Sequence, residues 1–86
     1  MSQLSQLKQQ ISSIGNDAKS TAQGLQGFKG KFSQAVSQVQ ATIGGSAQQV
    51  DQQMIATLQA AEKQVDAAIA ALQQAAQAAN KYAASL

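Results

Sequence analysis

The chain has 86 residues and a formal charge of +2, with no Cys, no His and no Pro. A chain this short forms one domain at most and buries only about 60% of the surface its unfolded form exposes. Small domains usually reinforce so thin a core with disulfides, a metal or a partner chain. Without Cys there is no disulfide or thiolate site, and without His the commonest metal ligand and general base are both missing; oligomerisation remains.

Aromatics make up 3% of the chain, which argues against a β sandwich or barrel. The abundant Ala, Gln, Leu and Lys are good helix formers. Charged residues are only 12%, about half the usual ~25%, so the polar surface is mostly neutral Gln and Ser.

The opening residues, from Met1 through Leu4 and Leu7 to Lys8, lack a basic region followed by an apolar block, so no cleavable signal peptide is expected. Helix one is predicted over about 3–42. Its apolar stripe alternates steps of three and four: Leu4, Leu7, Ile11, Ile14, Ala18, Thr21, Leu25, Phe28, Phe32, Ala35, Val39 and Thr42. Gly15-Asn16-Asp17 could end one helix and cap another. Gly24, Gly27 and Gly30 each cost roughly 1 kcal/mol relative to Ala. They fit either a bent or frayed helix, or close approach of a partner backbone around Phe28 and Phe32.

A turn is predicted over 43–46, at Ile43-Gly44-Gly45-Ser46, because adjacent glycines stop a helix. Ser46 and Gln49 have the spacing of a capping box for the second helix. Helix two is predicted over about 47–84, with the stripe Ala47, Val50, Met54, Leu58, Ala61, Val65, Ala68, Leu72, Ala75, Ala79, Tyr82 and Leu86. The step from Val50 to Met54 to Leu58 is a stutter. No charged residue falls on either stripe.

A short break between long helices makes them antiparallel neighbours. The expected fold is all-α: one antiparallel two-helix hairpin over 1–86. Folding at the glycines pairs residues whose numbers sum to about 89 or 90. Phe28 then faces Ala61, Phe32 faces Leu58, Leu25 faces Val65, Ala18 faces Leu72 and Ile11 faces Ala79. Leu25, Phe28, Phe32, Leu58, Ala61, Val65 and Leu72 are the expected intrachain seam. A second stripe flanks it, with Ala22, Val36 and Ile43 on helix one and Ile55, Ile69, Ala76 and Ala83 on helix two. An apolar face this wide suits a helical bundle. Val36, Ile43, Ile55 and Ile69 are therefore the expected partner interface, and dimerisation into a four-helix bundle is expected.

Nothing in the inventory supports catalysis, and neither enzyme activity nor a cofactor or metal is expected. Glu62 and Asp66 share a helix face without any Glu-x-x-His motif. Lys8, Lys19, Lys29 and Lys31 make helix one basic, and the sequence pI is about 9.2. With no Arg and no aromatic stacking platform, these lysines read as a solvated face, and no nucleic-acid partner is expected. Phe28 and Phe32 bordered by lysines could lie on a membrane surface, but the pattern serves equally as core, and membrane contact is not the expectation.

Two near-equal amphipathic helices, a tight Gly turn at mid-chain and a length under one hundred residues together resemble the WXG100 (ESAT-6-like) family of type VII secretion over essentially the whole chain. The family's Trp-x-Gly turn would fall on Ile43-Gly44-Gly45, with Ile43 in place of the Trp. Its Tyr-x-x-x-acidic export signal would fall on Tyr82 to Leu86, with Leu86 in place of the acid. The chain is thus similar to the branch that lacks the Trp, which includes small helical partners of LXG-type toxins. The resemblance implies a homodimer, or a heterodimer with another helical protein such as an LXG toxin. It also implies cytoplasmic synthesis in a Gram-positive bacterium and secretion through an ATPase-driven export machine. A generic coiled-coil hairpin serving as an adaptor or assembly protein explains the same periodicity without any motif.

Overall fold

The computed structural model describes residues 2–44 and 48–86. Two helices account for nearly all of them: α1, Gln3–Ile43, and α2, Gln49–Ser85. They pack against each other along their length as an elongated hairpin of 65 × 17 × 13 Å. No helix among the described residues is long and apolar enough to cross a membrane.

Local chemistry sets the helix ends. Ser2 caps α1, its hydroxyl accepting from the Ser5 backbone N–H at 3.1 Å. At the other end Gly44 takes φ +65°, a conformation that an L side chain resists, and its N–H donates to the Gln40 carbonyl at 2.9 Å. The expected turn residue Gly45, the cap Ser46 and the stripe residue Ala47 lie outside the described residues. Gln48 occupies the N-cap position of α2 with extended backbone. Asp51 in the first turn lies near the positive end of that helix dipole.

α1 runs unbroken through all its glycines, so Gly15-Asn16-Asp17 is not a helix boundary. Gly15 is buried, and its bare Cα accepts the flank of α2. A Cβ there would lie 2.9 Å from Asn80 Oδ1, 3.3 Å from Ala79 Cβ and 3.4 Å from the Ala76 carbonyl. Gly24, Gly27 and Gly30 differ: a Cβ on any of them would meet nothing within 4 Å.

The register differs from the expected one. Gly15 sits against Ala79 and Asn80. The Ser33 hydroxyl donates to the Glu62 carboxylate at 3.0 Å, and Lys29 pairs with Asp66. These partners have numbers summing to about 94 or 95 rather than 89 or 90, so Ala79 meets Gly15 instead of Ile11. Pairing large residues with small ones within the expected stripe gave the wrong offset because the seam uses a different stripe.

Candidate functional site

The residues that α1 buries most are Gly15, Ala18, Ala22 and Val36; those of α2 are Ile69, Ala76 and Ala83. With the half-buried residues between them, they define a regular seam: Ile11, Gly15, Ala18, Ala22, Leu25, Lys29, Phe32, Val36, Val39 and Ile43 on α1. On α2 the seam is Asp51, Ile55, Leu58, Glu62, Val65, Ile69, Leu72, Ala76, Ala79, Ala83 and Leu86. Steps of three and four alternate throughout, as the a and d positions of a heptad require. Gly15, Ala22, Lys29, Val36 and Ile43 are a positions on α1, as are Ile55, Glu62, Ile69, Ala76 and Ala83 on α2.

This assignment exchanges two of the expected roles. Leu25, Phe32, Leu58, Ala61, Val65 and Leu72 are half-buried, with all but Ala61 at d positions of the seam. Phe28 is not in the seam; it is 52% exposed and stacks along its own helix on Phe32, with centroids 5.7 Å apart. Conversely, Val36 at 4% exposure and Ile69 at 7% lie inside the hairpin, with Ile43 and Ile55 half-buried beside them. Val36 and Ile69 are thus occupied within the chain, and Ile43 and Ile55 only in part. The physical reason is that the apolar arc of each helix spans a, d and g, centred on d. Either flank could have closed the hairpin, and the a flank did.

The g flank is therefore left open. On α1 it carries Leu7, Ile14, Thr21, Phe28, Ala35 and Thr42; on α2 it carries Met54, Ala61, Ala68, Ala75 and Tyr82. In an antiparallel pair the g positions of both helices line one face and the e positions the other. The e positions are Ser5, Ser12, Lys19, Gln26, Ser33 and Gln40 with Gln52, Gln59, Asp66, Gln73 and Asn80, all polar. Lys19, Gln26, Gln73 and Asn80 do line one shared groove. The hairpin thus has a polar side and an apolar side. On the apolar side Leu7, Ile14, Phe28, Met54 and Tyr82 are between 41% and 61% exposed. The Thr42 hydroxyl donates to the Gln38 carbonyl at 2.9 Å, which satisfies its polar group within its own helix. No charged residue sits at any g position.

The polar residues Lys29 and Glu62 interrupt the seam near its middle. Both reach to the e side, Lys29 to Asp66 and Glu62 to Ser33. The ion pair is more than one-third exposed at both ends, so it contributes roughly 0–1 kcal/mol. Polar a positions fix register at some cost in stability. Replacing Lys29 and Glu62 together by Leu is expected to raise unfolding stability by about 1–2 kcal/mol. A urea titration reads this, and a fall in the midpoint would show that the polar pair is a net stabiliser.

Val50, at 74% exposure, lies off the g stripe near the start of α2. Of the residues aligned with an export signal, Tyr82 is on the open face and 53% exposed, while Leu86 is half-buried at the end of the seam. The open face was legible only as a choice between two stripes: the wide apolar arc is plain in the sequence, but the side that faces inward is not. Comparison of the chain with family models, with curated proteins and with solved structures returned no match.

Proposed function

We propose that this chain is a small helix-binding protein without catalytic activity, of the WXG100-like kind, exported or co-exported by a type VII secretion machine. The single observation that supports this reading is the open g face. A hairpin that leaves the g column of its apolar arc uncovered, with Phe28, Ile14 and Tyr82 each more than half exposed, is suited to bind helices. Its partner is a second copy or another helical protein, with an LXG-type toxin in the secretion setting. The protein is made in the cytoplasm and exported by that machine, and Tyr82 belongs to the surface that the exporter reads.

Immunodetection in culture medium tests the proposal, using the native bacterium with and without its secretion ATPase. The protein is expected in the medium of the parent strain and absent from that of the ATPase deletion. Tyr82→Ala is expected to reduce export by at least about tenfold, the effect of roughly 1.4 kcal/mol in recognition. Equal amounts in both media would remove the secretion reading. The adaptor or assembly reading would then stand, and Ile43 and Leu86, where the family signature has Trp and an acid, favour that alternative.

A further inference from the structure

The exposed glycines of α1 are concentrated where the seam is weakest. Gly24, Gly27 and Gly30 fall within one short stretch of helix, and among the described residues an added Cβ on any of them would meet nothing within 4 Å. Packing within the hairpin therefore does not call for bare backbone there. Each glycine tilts the local equilibrium towards unwinding by roughly 4–5-fold relative to Ala, or about 100-fold for the three together. We propose that residues 24–32 of α1 are a hinge, which unwinds as a unit while the arms of the helix on either side stay docked on α2.

The packing points to the same stretch. The arm before it holds the buried Gly15, Ala18 and Ala22, and the arm after it holds the buried Val36; no residue from 23 to 35 is buried. Across the hinge the seam rests on the half-buried Leu25, Lys29 and Phe32. Unwinding gives up their partial burial and the exposed pair of Lys29 with Asp66, which stabilises little. The contacts of both arms with α2 are kept. Segments with few buried apolar contacts are the ones that open below the global unfolding free energy.

Both ends of the hinge carry the chemistry to stop and restart a helix. Gly24 suits the left-handed conformation that closes a helix C-terminus. Ser33 is among the best N-cap residues: in the open state its oxygen accepts from the Val36 backbone N–H. Its O–H is still free to donate to Glu62, as it does at 3.0 Å in the closed helix. Unwound, residues 24–32 reach well beyond the roughly 14 Å that they span as helix, so neither arm has to leave α2. Opening interrupts the uncovered g face at its centre. Phe28 leaves the helix and its stack on Phe32, while Leu7 and Ile14 on one arm and Ala35 and Thr42 on the other keep their places. A partner then meets a face whose middle adjusts to its shape. The hinge belongs to the free chain and is independent of the secretion reading.

Amide hydrogen exchange followed by NMR on the full chain tests this. Phe28, Lys29, Lys31 and Phe32 report on the hinge; Ala18, Val39 and Ile69 report on the docked arms and α2. After correction for intrinsic rates, the hinge amides are expected to exchange at least ~10-fold faster than the others, with little dependence on added urea, since a local opening exposes little surface. Gly24→Ala combined with Gly27→Ala is expected to slow the hinge amides by about 20-fold. Ala76→Gly alters a buried site on α2 and is expected to quicken exchange at Ala18, Val39 and Ile69 by at least ~5-fold. It is expected to leave the hinge amides as they were, because their opening does not undock residue 76. Helical circular dichroism like that of the parent shows that both variants fold. Equal protection at all of these amides would overturn the proposal. So would hinge amides that do not respond to the two alanines, or that follow Ala76→Gly as closely as Ala18 does.

Discussion

An Ile69→Asp variant is expected to lose its helical circular dichroism at room temperature, while Ala67→Asp, two residues earlier, is expected to keep it. Ile69 is 7% exposed, at an a position near the centre of α2, where the seam is apolar on both helices. Truncating a buried Ile already costs about 2–5 kcal/mol, and a carboxylate at that site adds the penalty of an unpaired buried charge. A core of this size rarely supplies more than about 3–5 kcal/mol, so the loss matches the whole stability of the hairpin. Ala67 is exposed on the outer surface, and Asp there costs only the difference in helix propensity, about 0.7 kcal/mol. Thermal melts of the two variants measure the contrast. An Ile69→Asp protein that melts with the cooperativity of the parent would show that residue 69 is not in the seam.

Stability is expected to move the other way in a Gly24→Ala, Gly27→Ala, Gly30→Ala triple variant. All three glycines are exposed within the unbroken α1, and none has positive φ. An added Cβ meets nothing within 4 Å at any of the three sites. Each substitution thus recovers the full Gly-to-Ala helix propensity, about 0.8–1.0 kcal/mol, and together they stabilise the hairpin by about 2.5 kcal/mol. For a domain of this size that raises the melting temperature by roughly 10–20 °C. Calorimetry reads the shift. An unchanged or lowered melting point would mean that another chain packs on this outer surface closely enough to need the bare backbone. Gly15 is a useful contrast, because it spends the same propensity within a contact: atoms of α2 lie 2.9–3.4 Å from where its Cβ would be.

Much of the shape is already present in the composition and the periodicity. The absence of Pro, two long runs of three-and-four spacing and the glycines at mid-chain require two helices joined by a turn. The positive φ at Gly44 is the local reason α1 stops there. The width of the apolar arc was equally legible, and with it the inference that one hairpin cannot cover every apolar residue. A search for a charge-free stripe, however, selects d and g, because Lys29 and Glu62 occupy a positions on the other flank. That search assumes that charges avoid a buried seam. In a two-helix hairpin the seam is thin enough for long side chains to reach out of it, as Lys29 does to Asp66 and Glu62 does to Ser33.

The amino-acid sequence by itself determined that the chain is helical, that it doubles back near mid-chain, and that each helix has a three-column apolar arc. Only the tertiary structure decided which two columns meet within the chain. Rotating both helices by less than one residue's turn exchanges the a and g columns, and no local propensity distinguishes the two. The choice is made by contacts that exist only when both helices are in place: the close crossing of Gly15 by α2, the burial of Val36 and Ile69, and the outward reach of Lys29 and Glu62.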